Sequence, residues 1–293
     1  MRQLILTLLL IPMSSIAQQT YMLPTSNPSA PGEERVMERN GEKTITGVAQ
    51  PSITVYQADK ELRNGTAVIL CAGGGMRSLS WTNDVERMAR FFNERGVTAI
   101  GLKYRLNTAP FAPGGGQMPP LVDVTGFQKF PKANANPMPG GAGDVAIQNA
   151  IDDARSAIRM VREKAVEWGI NPSKVGYLGF SAGGGVAIGA TVQAKEGEMP
   201  NYLMTAYGPS LIDVDVPYAA PDLLIMTRAD HGNVAAGCLQ LFLEWKKAGK
   251  NAELHMYGDG NGPFILTDHN GTNTTETWAE SMANWMRARR YIE

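Results

Sequence analysis

The chain has 293 residues, 43% of them hydrophobic and 19% charged, which suits one well-filled α/β core and excludes a largely disordered polymer. A formal net charge of -1, with no Lys/Arg cluster, leaves no electrostatic footprint for nucleic acid and no basic face for a membrane. The expected partner is therefore small or neutral. Two cysteines, Cys71 and Cys238, exclude a disulfide scaffold and read as free, buried thiols.

The first residues have the order of an export signal: Arg2, the apolar stretch Leu4 to Ile11, then the small residues Ser15-Ile16-Ala17. Cleavage after Ala17 and a secreted or periplasmic product are expected, with residues 1–17 set apart from one folded domain over 18–293. The apolar stretch is too short to span a bilayer, and no later segment is long enough. No cysteine follows the small residues to carry a lipid.

After a Pro-rich start come two β-type runs, Thr44 to Thr46 and Ser52 to Tyr56, expected as antiparallel edge strands. A βα alternation follows. Thr66 to Cys71 is a continuous apolar strand; Val85, Met88, Ala89 and Phe92 recur at helical spacing before Gly96; Val97 to Tyr104 is the next strand. The stripe Ile147, Ala150, Ile151, Ala154, Ile158, Val161, Ala165 predicts a long helix, stopped by Gly169 and Asn171-Pro172. Strands at Lys174 to Gly179, Tyr202 to Tyr207, Leu223 to Thr227 and Ala252 to Tyr257 alternate with helices from Ala182, over Val234 to Ala248 and over Thr277 to Arg289. Such a series predicts a mostly parallel central sheet with helices on both faces. The Pro/Gly-dense stretch from Asn107 to about Gly143 leaves a strand's C-terminal end, where α/β ligands bind, and reads as either a lid or a solvated insertion.

The strongest chemical signal is Gly179-Phe180-Ser181-Ala182-Gly183, between a predicted strand and a predicted helix. A serine on that sharp turn exposes its hydroxyl, and the helix N-terminus offers unpaired N–H groups to a developing oxyanion. Ala72-Gly73-Gly74-Gly75-Met76, ending the strand at Cys71, supplies backbone N–H groups that no side chain obstructs. A Gly triplet alone is weak; beside the serine turn it gains weight.

These motifs, with Gly101-Leu102-Lys103-Tyr104-Arg105-Leu106 and Ala252-Glu253-Leu254-His255-Met256-Tyr257, resemble the α/β-hydrolase superfamily. The likeness is to its exported esterase branch, with acetyl xylan esterase and dienelactone hydrolase relatives, and it covers nearly all of the chain after residue 17. It implies the α/β-hydrolase fold, a Ser, Asp, His triad in that chain order and an oxyanion hole of Gly74, Gly75 and Ala182. No cofactor is implied and no metal constellation stands out. It suggests a small ester or an acylated, plant-type polysaccharide as substrate, cleaved through an acyl-enzyme.

The chain departs from that pattern at the base. The stretch after the last strand reads Gly258-Asp259-Gly260-Asn261-Gly262-Pro263-Phe264, so Gly262 stands where the resemblance expects histidine. In the loop that delivers the acid, Arg228-Ala229-Asp230-His231, either Asp230 or His231 aligns with the usual carboxylate. One reading is a swapped triad, Ser181, His231 and Asp259, with Asp230 as another orienting partner; triads are defined by geometry rather than order. His269 is a second base, folding back from a later loop, while His255 inside the last strand reads as structural. The competing function is a catalytically silent homologue that binds a carbohydrate or small ligand in the same crevice.

Overall fold

The computed structural model describes residues 18–25, 33–107, 132–136, 140–258, 264, 266 and 274–293. The expected export signal over 1–17 and most of the Asn107 to Gly143 stretch lie outside the described residues, as do Asp259, Gly262 and His269.

The described strands form two sheets. In the larger, the order is β1 (Gln18–Met22), β4 (Ser52–Tyr56), β7 (Thr98–Lys103), β5 (Ala67–Cys71), β8 (Val175–Phe180), β9 (Tyr202–Ala206), β10 (Asp222–Arg228) and β11 (Ala252–Tyr257). From β7 to β11 the strands are parallel, whereas β1 and β4 run antiparallel at one edge. β5 (Ala-Val-Ile-Leu-Cys) and β8 are buried along their whole length, as continuous apolar runs in a parallel sheet require.

Both faces are covered, and β8 shows how. Tyr177 donates its hydroxyl proton to the carbonyl of Ala154 in the helix Gly141–Glu163, at 2.8 Å. Phe180, on the opposite pleat, packs edge-on against Trp278 of the helix Trp278–Ala288. The helix Gly141–Glu163 buries Ile147, Ala150, Ile151, Ala154, Ile158 and Val161, the stripe expected from spacing. It ends where Ala165–Trp168 forms a short further turn closed by Gly169 in the left-handed region.

The two N-terminal runs differ from expectation. Ser52–Tyr56 is antiparallel but not outermost, because the polar strand β1 pairs along it. The run at Thr44–Thr46 belongs to a separate antiparallel sheet of β2 (Arg35–Arg39), β3 (Glu42–Thr46) and β6 (Ser78–Ser80). β6 follows the Gly triplet, so this small sheet anchors the far side of that loop.

Between β6 and the helix Met88–Asn93, residues Thr82–Arg87 form a π-helix in which Asn83, Asp84 and Val85 are all buried. Three consecutive buried residues are outside the period of an α-helix, and a π-turn is where such a departure is accommodated. After β7, Tyr104 donates to the carbonyl of Ala72 at 2.6 Å, and Arg105 makes a buried ion pair with Asp153 at 2.7 Å. Both thiols are free and buried, as composition predicts.

Candidate active site

Ser181 joins β8 to the helix Ala182–Val192 with φ 49° and ψ -122°. A non-glycine residue held there costs about 1–3 kcal/mol, so the surrounding structure must enforce it. Its N–H donates to the carbonyl of Ala206 at 3.0 Å, and its carbonyl accepts from Gly184 at 2.9 Å and Gly185 at 3.3 Å. The glycines are needed for close approach: a Cβ on Gly183 would lie 2.1 Å from the carbonyl oxygen of Cys71. One on Gly179 would lie 2.4 Å from that of Gly183. The side chain of Ser181 is partly exposed, and Ala182, the first helical residue, has no intrahelical acceptor for its N–H.

The Gly triplet lies against this turn. A Cβ on Gly73 would stand 3.1 Å from Cβ of Ser181. The N–H of Gly73 donates to Oδ2 of Asp84 at 2.8 Å, and its carbonyl accepts from Ser80 at 3.0 Å. The carbonyl of Gly74 accepts from Arg77 at 3.0 Å and Ser78 at 3.1 Å. No hydrogen bond among the described residues uses the N–H of Gly74 or Gly75. Gly74 has φ 139°, a conformation that side chains rarely allow.

The loop after β10 carries both candidate residues, Asp230 and His231. Asp230 is exposed and bonded to Arg228, Nε to Oδ1 at 2.9 Å. His231 begins the helix Gly232–Lys247, and its Nδ1 is buried with no hydrogen-bond partner among the described residues. Burial chiefly lowers its pKa, helped by Arg228 and opposed by its own backbone and by Asp230. Among the described residues no hydrogen bond joins His231 to Ser181. His255 is bonded to Glu253 at 2.7 Å within β11, in keeping with a structural role. Asp259, proposed to orient His231, and His269 fall outside the described residues.

Among the described residues there is no group of three or more His, Cys, Asp or Glu side chains that could hold a metal ion. A cavity of about 410 Å³ is lined by Arg105, Asp152, Asp153, Arg155, Arg159 and Lys195 together with Pro24 and Thr25, and none of the serine-turn residues borders it.

The comparisons with known proteins agree with this fold. The BD-FAE family model matches residues 142–251, a span that contains Ser181 and His231. An acetylxylan esterase of Xylanibacter ruminicola is 26% identical over 144 residues, which is 49% of this chain and 22% of that protein. The chain thus matches about a fifth of the length of that curated relative. Among solved structures, the acetyl ester-xyloside bifunctional hydrolase of Caldicellulosiruptor lactoaceticus superposes with a TM-score of 0.58 at 20% identity, over 83% of this chain and 90% of that one. Esterase 2 of Thermogutta terrifontis, phosphoramylated by tabun, superposes with a TM-score of 0.58 at 19% identity, over 89% of this chain and 96% of that one.

The chain has the α/β-hydrolase fold.

In this α/β-hydrolase fold, sequence reasoning missed the group bonded to the Gly triplet. Asp84 is 1% exposed; besides Gly73 it accepts from Nδ2 of Asn83 at 2.6 Å, and that amide also reaches the carbonyl of Phe264 at 3.3 Å. Phe264 is stacked on Trp278 and meets Tyr207 edge-on, so the segment after β11 is tied to the same cluster. Tyr207, just past β9, is itself at φ 41°. No periodicity in Trp81-Thr82-Asn83-Asp84 marks these residues; a buried carboxylate beside Gly-Gly-Gly is visible only once β5 and the π-helix meet.

Burial pushes the Asp84 carboxyl up to about 6 from 3.8, outweighing the lowering by the Gly73 and Asn83 hydrogen bonds, with Glu42 adding to the rise. Between those values the folded chain holds a proton that the unfolded chain has released. This group's contribution to stability is thus greatest below about pH 4 and is lost as pH rises through 6, a change of about 3 kcal/mol. Asp84→Asn should therefore be more stable than the parent at pH 7.5 and equal to it near pH 4. Urea unfolding midpoints across that range check this; a parent and variant that differ equally at both pH values would contradict it.

Proposed function

We propose that this chain is a serine carboxylic ester hydrolase that cleaves small acyl esters or acylated carbohydrate through an acyl-enzyme at Ser181. The observation that carries the reading is the strained Ser181 backbone, φ 49° and ψ -122°, at a helix N-terminus and beside a loop in which the N–H groups of Gly74 and Gly75 make no hydrogen bond among the described residues. Strain of this kind persists only where the surroundings enforce it, and here they expose a hydroxyl. In the proposed reaction Ser181 Oγ attacks the ester carbonyl while Gly74, Gly75 and Ala182 donate to the oxyanion. His231 takes the serine proton and returns it to the leaving alcohol; water, deprotonated by the same imidazole, then releases the acid. The buried Nδ1 of His231, which has no hydrogen-bond partner among the described residues, supports this role, since a base of this kind needs a second group to orient it, and Asp259 is the proposed one.

The acylated polysaccharide rests on likeness to the acetylxylan esterase, and export rests on the pattern of Arg2, Leu4 to Ile11 and Ala17. A second reading, a silent homologue that binds carbohydrate, is favoured by Gly262 at the usual histidine position. One experiment separates them: folded protein is treated with a fluorophosphonate and its peptides are read by mass spectrometry, with heat-denatured protein as control. Labelling of Ser181 in the folded state alone supports the hydrolase; no labelling of a folded protein supports the binding protein. With an activated serine in hand, His231→Ala should lower turnover of a small ester by about 10³-fold or more. Unchanged turnover would remove His231 as the base.

A further inference from the structure

We propose that Asp84 is a positioning residue that holds the Gly73-Gly74-Gly75 loop so that its N–H groups face the Ser181 turn. The inference rests on the ester-hydrolase reading of that turn and adds a component to it.

The argument starts from the peptide planes. A trans peptide carries its C=O and N–H on opposite sides, so fixing one fixes the direction of the other. The Ser80 N–H holds the carbonyl of Gly73 from the β6 side, which turns the N–H of Gly74 the other way. The Arg77 and Ser78 N–H groups hold the carbonyl of Gly74, which sets the N–H of Gly75. The preceding plane, Ala72–Gly73, is held at its N–H by Oδ2 of Asp84 at 2.8 Å. Its carbonyl, that of Ala72, accepts from the Tyr104 hydroxyl. Three consecutive planes are therefore pinned in a sequence that has no side chains of its own to resist rotation. The carboxylate and the serine lie on the same side of Gly73: a Cβ there would meet Oδ2 of Asp84 at 3.3 Å and Cβ of Ser181 at 3.1 Å.

The choice of residue is informative. Oδ1 and Oδ2 each accept one bond, and an amide oxygen could take the Gly73 bond without burying a charge. The carboxylate is retained at a cost to stability near neutral pH, as its raised pKa shows. An ionised acceptor holds an N–H about twice as strongly as a neutral one, and loop precision is what that extra strength provides. The π-helix that turns Asn83, Asp84 and Val85 inward together is a local irregularity of the kind found at functional sites. Among the described residues, the charged and titratable groups felt at this position are Glu42 from β3, Tyr104 after β7 and Tyr207 after β9.

The test is the second-order rate of Ser181 labelling by a fluorophosphonate, measured from pH 5 to 8 for the parent, Asp84→Ala and Asp84→Asn, with thermal unfolding of each. Asp84→Ala should slow labelling at pH 7.5 by about a hundredfold, the scale of a misplacement of about 1 Å at a reacting centre. Asp84→Asn, which keeps an oxygen facing Gly73, should restore the rate to within about threefold while unfolding no earlier than the parent. Equal labelling of parent and Asp84→Ala overturns the inference, and so does a loss that Asp84→Asn leaves unrestored. Should Asp84→Ala not fold, the ratio of parent to Asp84→Asn rates decides. A ratio that climbs from one as pH rises through about 6 supports the charged pin, because the protonated carboxyl resembles the amide and the base's own titration cancels. A flat ratio overturns it. A folded parent that is not labelled at all is a different result: it removes the hydrolase reading, and this inference with it.

Discussion

Ser181→Ala abolishes covalent labelling by a fluorophosphonate and lowers ester turnover by about 10⁴-fold or more, while the protein unfolds at the same temperature as the parent. The chemical half of this expectation follows from the role proposed for the hydroxyl: with it gone, no acyl-enzyme forms, and only oxyanion stabilisation and binding remain. The structural half follows from the backbone. Alanine meets the same strain at φ 49° as serine, and no hydrogen bond of the Ser181 hydroxyl is recorded among the described residues, so its removal leaves no partner stranded. The bonds that hold the turn are backbone ones, from Ser181 to Ala206 and from Gly184 and Gly185 to Ser181, and they survive the substitution. Labelling that persists in Ser181→Ala would place the reactive nucleophile elsewhere and remove the reading built on this turn.

Gly183→Ala is expected to have the largest effect on stability, although it adds one methyl group. Its Cβ would lie 2.1 Å from the carbonyl oxygen of Cys71 and 2.5 Å from that of Ala72, both backbone atoms of the central strand β5 and its extension. Backbone inside a parallel sheet cannot rotate away as a side chain can, so the helix Ala182–Val192 must lift off β5. That motion also separates Ser181 from the Gly triplet. A cost of about 3 kcal/mol is expected, the upper range for overpacking, or a fall in Tm of roughly 6–12 °C for a chain this size. Labelling of Ser181 should be lost with it. Gly75→Ala is the control: no atom lies within 4 Å of its added Cβ, and only the φ of 60° opposes it, worth about 1–2 kcal/mol. If Gly183→Ala unfolds no earlier than Gly75→Ala, the contact between turn and strand is looser than described.

How much was legible in the chain follows from how local each feature is. The serine turn was readable because strand, turn and helix are contiguous in sequence, and the glycines at 179 and 183 answer to contacts within a few residues or with the neighbouring strand. The long amphipathic helix was readable because seven apolar residues repeat at helical spacing. β1 and β2 were not, because short polar strands of an edge or a small sheet carry no apolar run; their residues are mostly exposed and they exist by pairing with β4 and β3. The acid-and-base loop was narrowed to Asp230 and His231 but not resolved, since the choice depends on side-chain packing: Arg228 holds Asp230 at the surface, and Nδ1 of His231 is buried.

By itself, then, the sequence determined the βα alternation, the position of Ser181 between strand and helix, and the Gly triplet beside a central strand. These rest on periodicity and backbone geometry, which short stretches of chain encode. Only the tertiary structure decided that Asp84 reaches Gly73 and that the Gly triplet touches the serine turn. Those outcomes depend on burial and on partners separated in the chain: Asp84 is 11 residues from Gly73, and Gly183 meets Cys71 where the neighbouring strands β5 and β8 end. Such juxtapositions arise when the sheet assembles, because desolvation and hydrogen-bond partners are properties of the packed interior and not of the local chain.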